Sequence, residues 1–499
     1  MRKSRNPRIL IVTPEITYLP EGMGNLAGKM SAKAGGMADV SASLVQSLHS
    51  LGADVHVALP HYRRMFHVET AQLVASELRK YKSHLPNERI HLAEDRCFYY
   101  RDTVYSQGDG NIKLALAFQR EVINNIIPRV QPDLIHCNDW MTGLVPAAAR
   151  REGIPCLFTV HNIHTQKLSL SRIEDSGIDA AEFWMHLYYS YPPYNYFESR
   201  ENNLVDLQAS GVFGAHFINT VSPTFLTEIV NGWHSFVPDS IRGEIRNKFN
   251  AGCAAGILNA PDSADNPAID DKIPFKYGPE DHVKAKRDNK IALQHALGLE
   301  ENPDRALFFW PSRLDPVQKG PQLLSDIAYR FLEKHPDAQI AVIANGSFQK
   351  PFRDIRDFHG IHSRLAVRDF DGRLSQLGFA ASDFTLMPSL FEPCGLPQMQ
   401  APIYGSLAIV HDTGGLHDTV EMLDAYSSRG NGFVFETYDS NGLFWAMDKA
   451  MEFFHSPADV REREIKRIMA ESLRRFNHDE CAKQYIALYE RMLDRPLVK

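Results

Sequence analysis

The sequence has few cysteines, and none of them are paired in a metal-binding spacing. Six occur, at positions 97, 137, 156, 253, 394 and 481, and no CxxC pair is present. A structural zinc site is therefore not expected. A chain of 499 residues can bury a core without disulfide staples, so we expect reduced thiols.

Long apolar runs are also missing. Near the N-terminus, MRKSRNPRILIVTPE, the apolar run covers only residues 9–12, which is too short for the core of a signal peptide or for a membrane span. We expect a cytoplasmic protein without a membrane partner.

An excess of basic residues is absent as well. Lys and Arg number 54 against 61 Asp and Glu, giving a net charge of −7. A general nucleic-acid binder usually carries a basic surface, so no nucleic-acid partner is expected. A local basic site for an anionic ligand remains open.

The glycine fingerprint of dinucleotide binding is not found either. Gly22, Gly24 and Gly28 share one loop, but their spacing misses GxGxxG. A nicotinamide-dependent dehydrogenase is therefore poorly supported.

The composition that remains is that of a globular protein with more than one domain. Hydrophobic residues make up 44% and charged residues 23%, and the length exceeds one ordinary core. Apolar, β-branched runs predict strands at 8–13, 54–59, 113–118, 133–136, 156–160, 217–221, 306–310, 339–344, 384–387 and 407–410. Helical patterns lie between them, with helices predicted at 284–297, 322–334 and 465–493, and residues 252–281 look irregular. This alternation predicts two α/β halves built on parallel sheets.

Polar clusters follow the predicted strands repeatedly. They lie at residues 33–36, 139–140, 161–162, 313–319, 392–398 and 413–416. Open α/β sheets bind ligands at the carboxyl ends of their strands. We therefore expect a ligand cleft between the two domains.

Three clusters suit a phosphorylated ligand. In SAKAGGMADV (residues 31–40), Lys33 and the bare backbone of Gly35 and Gly36 precede a helix, where the helix dipole favours anions; a flexible loop with a solvated lysine is the alternative. In SRLDPVQKG (residues 312–320), Arg313 and Lys319 offer two cations at one strand end, which fits a diphosphate leaving group better than two surface charges. Residues 413–415, Thr-Gly-Gly, open another helix as a second possible anion site.

Other side chains invite an acid–base or sugar-binding interpretation. Glu392 stands in a turn rich in Pro and Gly, where it either binds sugar hydroxyls or is an ordinary acid at a helix start. Asp139 and His161 each follow a predicted strand, whereas we expect His136 to be a packed or capping residue. A nucleophilic role for Cys394 has no readable histidine partner. The DxD at residues 369–371 arises often by chance, so no metal is expected.

Taken in order, these clusters resemble the bacterial glycogen synthase and plant starch synthase family. The similar segments are KAGGMADV from Lys33, HCNDW from His136, TVHN from Thr159, TVSPTF from Thr220, GILN from Gly256, SRLDPVQKG from Ser312, PSLFEPCGL from Pro388 and TGGLHDTV from Thr413. They span nearly the whole chain, and their combined order is specific although single pieces are not.

The resemblance implies a GT-B fold, with two Rossmann-like domains facing across a cleft. The domains would be residues 1–298 on the acceptor side and 305–464 on the nucleotide-sugar side, with helices in 465–499 packing back on the first. It implies transfer of glucose from ADP-glucose or UDP-glucose to the non-reducing 4-hydroxyl end of an α-1,4-glucan or maltooligosaccharide, with retention of configuration. No cofactor or metal would be needed.

The resemblance also implies roles for individual residues. Arg313 and Lys319 would neutralise the departing diphosphate, and Glu392 would hold the donor glucose. Lys33, Gly35 and Gly36 would lie by the donor phosphates, and Thr413 and Gly414 would approach the distal one. The turn of Cys394, Gly395 and Leu396 would lie beside the sugar, and Asp139, His161 and Asn162 would face it from the first domain.

This chain departs from the family pattern at several positions. Residues 17–32 form a longer loop before Lys33. Pro397 replaces a usual Thr, Gln208 a usual Lys, and Ala260 with Pro261 a Gly and a branched apolar residue. Alternatives are a GT-B transferase with another sugar donor or a small acceptor, or a non-catalytic glucan-binding relative. The choice between ADP-glucose and UDP-glucose, acceptor length, oligomeric state and regulation stay open.

Overall fold

The structure is a computed structural model that describes residues 5–24, 27, 30–66, 89–106 and 108–498. Its strands are β1 (Arg8–Val12), β2 (Asp54–Pro60), β3 (Ile90–Ala93), β4 (Leu134–Asn138), β5 (Cys156–Val160), β6 (Lys167–Leu168), β7 (Val205–Asp206), β8 (Phe217–Thr220), β9 (Ala254–Gly256), β10 (Ala306–Trp310), β11 (Ala338–Ile343), β12 (Leu365–Arg368), β13 (Phe384–Met387), β14 (Leu407–His411) and β15 (Gly432–Phe435).

Helices alternate with these strands in both halves of the chain. The α-helices are Gly36–Ser50, Arg96–Tyr99, Gly110–Glu121, Ile127–Val130, Val145–Arg151, Leu170–Asp175, Tyr196–Asn202, Leu207–Gly214, Pro223–Asn231, Asp239–Asn250, His282–Leu297, Pro321–Lys334, Gln349–His359, Gly372–Ala381, Pro397–Ile403, Gly414–Thr419, Ser440–Phe454, Ala458–Arg475 and His478–Leu493. A π-helical turn at Val122–Ile126 and 3₁₀ turns at Trp140–Thr142, Ala180–Glu182 and Trp184–His186 complete them.

Compactness divides the chain into two units. The first contains residues 1–221, 226–257 and 478–499, and the second contains residues 222–225 and 258–477. The sequence analysis places residues 258–298 in the first domain. In the structure, the helix His282–Leu297 packs Leu293 and Leu297 into the core of the second unit.

The first unit is built on a seven-stranded sheet in the order β3-β2-β1-β4-β5-β8-β9, with every neighbouring pair parallel. Strand order reverses direction between β1 and β4. A two-stranded antiparallel ribbon, β6-β7, is separate from this sheet.

The second unit has a six-stranded parallel sheet in the order β12-β11-β10-β13-β14-β15. This is the strand order of the Rossmann fold, and it reverses between β10 and β13. Phe308 and Trp310 pack into the core on one face of the sheet, while Leu307 and Phe309 pack into the core on the other. Burial on both faces explains why β10 is a continuous apolar run.

Most predicted elements are confirmed, one is wrong, and one is divided in two. Residues 113–118, expected to form a strand, lie in the helix Gly110–Glu121, where Leu114 and Phe118 are fully buried four residues apart. The predicted helix 465–493 is two helices, which end and begin on either side of Phe476 and Asn477. No helix among the described residues is long and apolar enough to cross a membrane.

Candidate active site

In the second unit, the point where strand order reverses carries a buried ion pair. Lys319 follows β10 and Glu392 follows β13, and the Lys319 ammonium pairs with the Glu392 carboxylate. Their side chains are only 13% and 7% exposed. The Ser389 hydroxyl donates to the same carboxylate at 3.1 Å. Two residues 73 positions apart, both expected at the site, are therefore in direct contact.

Close backbone packing fixes these two loops together. Leu390 N donates to Gln318 O at 2.8 Å. Gly320 has φ +73°, and a Cβ there would lie 2.2 Å from Pro388 O. Only glycine allows this conformation and this approach, so Gly320 sets the position of Lys319 against the turn that carries Glu392.

The turn after Glu392 packs on the helix that begins at Gly414. Gly415 N donates to Glu392 O at 2.9 Å, and a Cβ on Gly415 would lie 2.0 Å from Cys394 O. Gly395 adopts φ +73°, and Leu396 precedes the helix Pro397–Ile403. Thr413 caps the helix Gly414–Thr419 in an extended conformation. The turn that follows Glu392 and the helix start at Thr413, both predicted to lie by the donor, are therefore in contact.

Pro397 occupies the first position of its helix. An N–H at this position would have no intrahelical partner, so the proline costs no helix hydrogen bond. Cys394 is buried, and its carbonyl accepts from Gln398 Nε2 at 2.9 Å.

Arg313 lines a cavity of about 640 Å³ at the carboxyl ends of β10 and β11. Asn345 and Phe370 also line it, and the Phe370 side chain is 56% exposed. Within the described part of the chain, the Arg313 guanidinium forms no hydrogen bond or ion pair. A cation and an exposed ring at one cavity suit a phosphorylated ligand with a planar base.

The acids on either side of Phe370 serve the fold. Asp371 caps the helix Gly372–Ala381 by accepting from Arg373 N and Leu374 N. Asp369 accepts from Gln349 Nε2 at 2.8 Å and lies 3.3 Å from Arg353. No group of three or more His, Cys, Asp or Glu side chains among the described residues could hold a metal ion.

In the first unit, Asp139 follows β4, beside the equivalent reversal of strand order. It is 2% exposed and adopts φ +55°, ψ −179°, a region that costs a non-glycine residue about 1–3 kcal/mol. Its carboxylate accepts from His161 N at 2.8 Å and from Asn162 Nδ2 at 2.9 Å. Burial nevertheless raises the pKa of Asp139 to about 7.

His161 and Asn162 follow the neighbouring strand, β5. His161 Nε2 donates to Asn138 Oδ1 at 2.8 Å, and desolvation lowers the pKa of His161 to about 4. The imidazole is therefore neutral at pH 7. Gln208 Nε2 donates to Asn162 O at 3.0 Å, whereas Gln208 Oε1 is buried without a partner among the described residues.

The helix start after Lys33 is already occupied by a carboxylate. Glu15, which follows β1, accepts from Ala34 N at 2.6 Å and from Gly35 N at 3.0 Å. Burial raises the pKa of Glu15. A phosphate at these N–H groups, as the sequence analysis expects, would have to displace Glu15.

Lys33 is also engaged, since its ammonium lies 2.7 Å from Asp39 Oδ2 in the first turn of the helix that Gly36 begins. The longer loop before it is closed at its base, where Ile16 and Ala32 exchange backbone hydrogen bonds at 3.1 and 2.8 Å. Asn25, Leu26, Gly28 and Lys29 of this loop lie outside the described residues.

The sequence analysis does not identify several residues that lie near Asp139 in the first unit or beside Arg313 in the second. Glu15 is near enough to Asp139 to raise its pKa, and Tyr105 donates to Glu15 Oε1 at 3.4 Å. Asn345 and Phe370 line the cavity beside Arg313. Glu15 follows a strand as Asp139 does, so the strand-end rule could have found it. Tyr105 carries no such signal, because it lies in an irregular segment.

Comparisons with known proteins identify the family of the chain. Residues 8–238 match the family described as the starch synthase catalytic domain, and residues 297–467 match glycosyl transferases group 1. The glycogen synthase of Clostridioides difficile is 31% identical over 493 residues, covering 93% of this chain and 97% of that protein. The chain belongs to the glycogen and starch synthase family.

Another family member and two solved structures are also similar to this chain over nearly its whole length. The glycogen synthase of Moorella thermoacetica is 31% identical, covering 98% of this chain and 97% of its own length. The catalytic domain of starch synthase IV from Arabidopsis thaliana, solved bound to ADP and acarbose, matches with a TM-score of 0.77 and 25% identity, over 98% of this chain and 100% of that one. A sucrose-phosphate synthase from Thermosynechococcus elongatus, at 16% identity and TM-score 0.58, shares the fold.

This family member is a glucan-synthesising glucosyltransferase. Its two units are the two parallel α/β domains of GT-B glycosyltransferases. Nucleotide-sugar donors and glucan acceptors are the ligands that membership implies.

Proposed function

We propose that the enzyme transfers glucose from a nucleoside-diphosphate glucose to the non-reducing 4-hydroxyl end of an α-1,4-glucan, with retention of configuration. The Lys319–Glu392 pair at the β10/β13 reversal carries the proposal, and Arg313 lies in the same loop as Lys319, between β10 and the helix Pro321–Lys334. This pair supplies a carboxylate for sugar hydroxyls and a cation for a diphosphate, and Arg313, which lines the cavity at the end of β10, supplies a second cation. The ADP bound to the related starch synthase IV makes ADP-glucose the first donor to test and UDP-glucose the second.

In this proposal the second unit stabilises the leaving group. The bond between C1 of the glucose and the diphosphate oxygen breaks, and negative charge grows on that oxygen. Lys319 and Arg313 offer charge-assisted hydrogen bonds to it. Glu392 binds one ammonium proton of Lys319 and leaves two for phosphate oxygens. The base lies in the cavity against Phe370, and Thr413 and Gly414 approach the distal phosphate.

The acceptor 4-hydroxyl forms the new bond to C1 on the face that the diphosphate leaves. Its proton passes to the departing diphosphate oxygen, so no protein nucleophile is required. Asp139, His161 and Asn162 contact the glucose that is transferred. His161, neutral at pH 7 and with its Nε2 proton donated to Asn138, accepts a hydrogen bond from a sugar hydroxyl through Nδ1 without adding charge. The strained backbone of Asp139 holds its carboxylate in a fixed direction.

The experiment is incorporation of labelled glucose into polymer. Purified protein is incubated with glycogen, or with maltooligosaccharides, and either labelled ADP-glucose or labelled UDP-glucose. We expect label in the polymer from at least one donor, released as maltose by β-amylase because the new residues are α-1,4-linked at non-reducing ends. Incorporation from neither donor would contradict the proposal and favour another donor, a small acceptor or a non-catalytic role.

A further inference from the structure

The second unit contains a cavity that the proposed reaction does not use. Its volume is about 840 Å³, within the range of ligand sites. It lies where β14 and β15 end, since Asp412 follows β14 and Glu436 follows β15. The first turn of the helix Ser440–Phe454 forms another wall. It is therefore at the ligand-binding edge of the sheet.

A tryptophan side chain forms part of the wall of this cavity. Trp445 lines it and is 47% exposed, which is unusual for so large an apolar ring. The other apolar lining residues are Val420, Met422, Val434 and Phe435. The cavity thus offers a flat apolar surface to a ligand that has an apolar face.

The remaining lining is mostly acidic. Its carboxylates belong to Asp412, Asp418, Glu421, Glu436 and Asp439, whereas Arg475 is the one Lys or Arg among its lining residues. Arg475 already donates to Asp418 O at 2.7 Å. This charge repels a diphosphate, so the cavity does not suit the donor or the released nucleotide.

Several of these carboxylate oxygens remain available as acceptors. Asp412 Oδ1 accepts from His417 Nδ1 at 2.7 Å, and Asp439 Oδ1 accepts from Gly442 N at 2.7 Å. Each aspartate has a second oxygen that forms no hydrogen bond within the described residues, and Glu436 forms none there through either oxygen. A ligand with many hydroxyl donors would satisfy them.

We propose that this cavity binds a segment of the α-glucan, away from the reacting end, with a glucose ring stacked on Trp445 and hydroxyls bonded to Glu436 and Asp439. A pyranose ring has an apolar face and a hydroxyl edge, which match the apolar wall and the acidic rim. The inference rests on the proposed function, because that function supplies the polymer as acceptor and product.

Donor-free binding tests this inference without requiring turnover. The full-length protein is run on native gels containing glycogen and titrated with maltoheptaose by calorimetry. We expect Trp445→Ala to weaken both interactions about tenfold, the order of one lost aromatic contact, and Trp445→Tyr to restore most of the loss. Trp233→Ala, which removes a tryptophan that is 68% exposed in the first unit, should bind like wild type.

The outcomes separate this inference from the proposed function. If wild type incorporates glucose but Trp445→Ala binds glucan as wild type does, the inference is wrong and the function stands. If spermidine binds at Trp445 and maltoheptaose does not, the cavity takes a cation and the inference is also wrong. If wild type binds glycogen through Trp445 but incorporates no glucose, the function fails and the binding site stands. Unchanged melting temperatures of the variants confirm that each is folded.

Discussion

Asp139 has two features that cost stability and that a purely structural residue would not need. Its backbone lies in a region that glycine prefers, and its carboxyl is buried with a pKa of about 7. Neither feature stabilises the fold, and strain of this kind is typically retained at functional sites. Position and burial of this residue therefore support its proposed contact with the transferred glucose.

The raised pKa predicts a specific pH dependence of stability. Between an unfolded pKa of 3.8 and the folded value of about 7, the folded state holds a proton that the unfolded state has lost. Stability therefore falls as pH rises through this window, at up to about 1.4 kcal/mol per pH unit. Asp139→Asn has a nearly isosteric side chain on the same strained backbone, but it cannot ionise. Its free energy of unfolding should match wild type near pH 4 and exceed it by pH 8.

Thermal or urea unfolding of both proteins from pH 4 to 8 checks this prediction. Glucose transfer by the variant should fall, because the carboxylate is lost. A stability difference that does not change with pH would show that the Asp139 pKa is close to its ordinary value.

Sequence patterns indicate which charged residues follow the strands, but not which of them pair with each other. The sequence places Lys319 and Glu392 each in a loop that follows a strand. That they neutralise each other depends on Gly320, whose packing on Pro388 is a tertiary contact. Around Lys33 the motif predicts a phosphate ligand. In the structure the Lys33 ammonium pairs with Asp39, and the neighbouring N–H groups donate to Glu15.

At the scale of the element, buried parallel strands were the easiest to predict. Residues 156–160 and 306–310 match β5 and β10 in full because both faces are apolar. The sequence analysis predicts no strand at β3, β6, β7, β9, β12 or β15. Each of these is two to four residues long, and β9 and β15 contain glycine. The sequence analysis predicts a strand at 113–118, inside the helix Gly110–Glu121, because a short apolar run fits both the two-residue period of a strand and the 3.6-residue period of a helix.

Packing of the helix start at Gly415 against the turn at Cys394 gives a second prediction. In Gly415→Ala the new Cβ would lie 2.0 Å from Cys394 O, so the backbone must move. We expect a loss of about 1–3 kcal/mol and a severe loss of glucose transfer, because Glu392 and Thr413 shift apart.

Gly372→Ala is the matched control for this prediction. Gly372 also stands at a helix start, but a Cβ there meets no atom within 4 Å. Stability should be unchanged or slightly higher, and transfer unchanged. Equal melting temperatures and equal turnover for Gly415→Ala and wild type would contradict the account of this contact.

At the scale of the whole molecule, the chain returns to its first unit at its end. The helix His478–Leu493 lies in that unit and the helix Ala458–Arg475 lies in the second, whereas the sequence analysis groups residues 465–499 together. This boundary could not be read from the sequence, because both helices are amphipathic and only tertiary contacts separate them.

A buried hydrogen-bond chain joins the last helix to the first sheet. Tyr489 donates to His136 Nδ1 at 2.6 Å, His136 Nε2 donates to Thr159 Oγ1 at 2.6 Å, and Thr159 donates to Asn219 Oδ1 at 2.6 Å. The Thr159 hydroxyl has one proton, so it must accept from the imidazole, and this fixes the histidine tautomer. His136 thus has the structural role expected from the sequence.

Tyr489→Phe should destabilise the protein by about 1–3 kcal/mol, since it leaves His136 Nδ1 buried without a donor. Urea unfolding measures the loss. Tyr426→Phe removes a hydroxyl from a fully exposed tyrosine and should change nothing. A Tyr489→Phe protein as stable as this control would show that the chain of hydrogen bonds contributes little.

The central claim is that two cations of the second unit stabilise a departing diphosphate. The most direct measurement is the rate of nucleoside-diphosphate release from the active donor with glycogen, in wild type, Arg313→Ala and Lys319→Ala, with the exposed Lys350→Ala as the control. Among the described residues no side chain is paired with the Arg313 guanidinium. Removing it therefore leaves no buried partner unpaired, and the variant should fold normally. We predict a fall of about 10²- to 10³-fold in kcat for each, with Lys350→Ala unchanged. Rates within twofold of wild type for folded Arg313→Ala and Lys319→Ala would contradict the account.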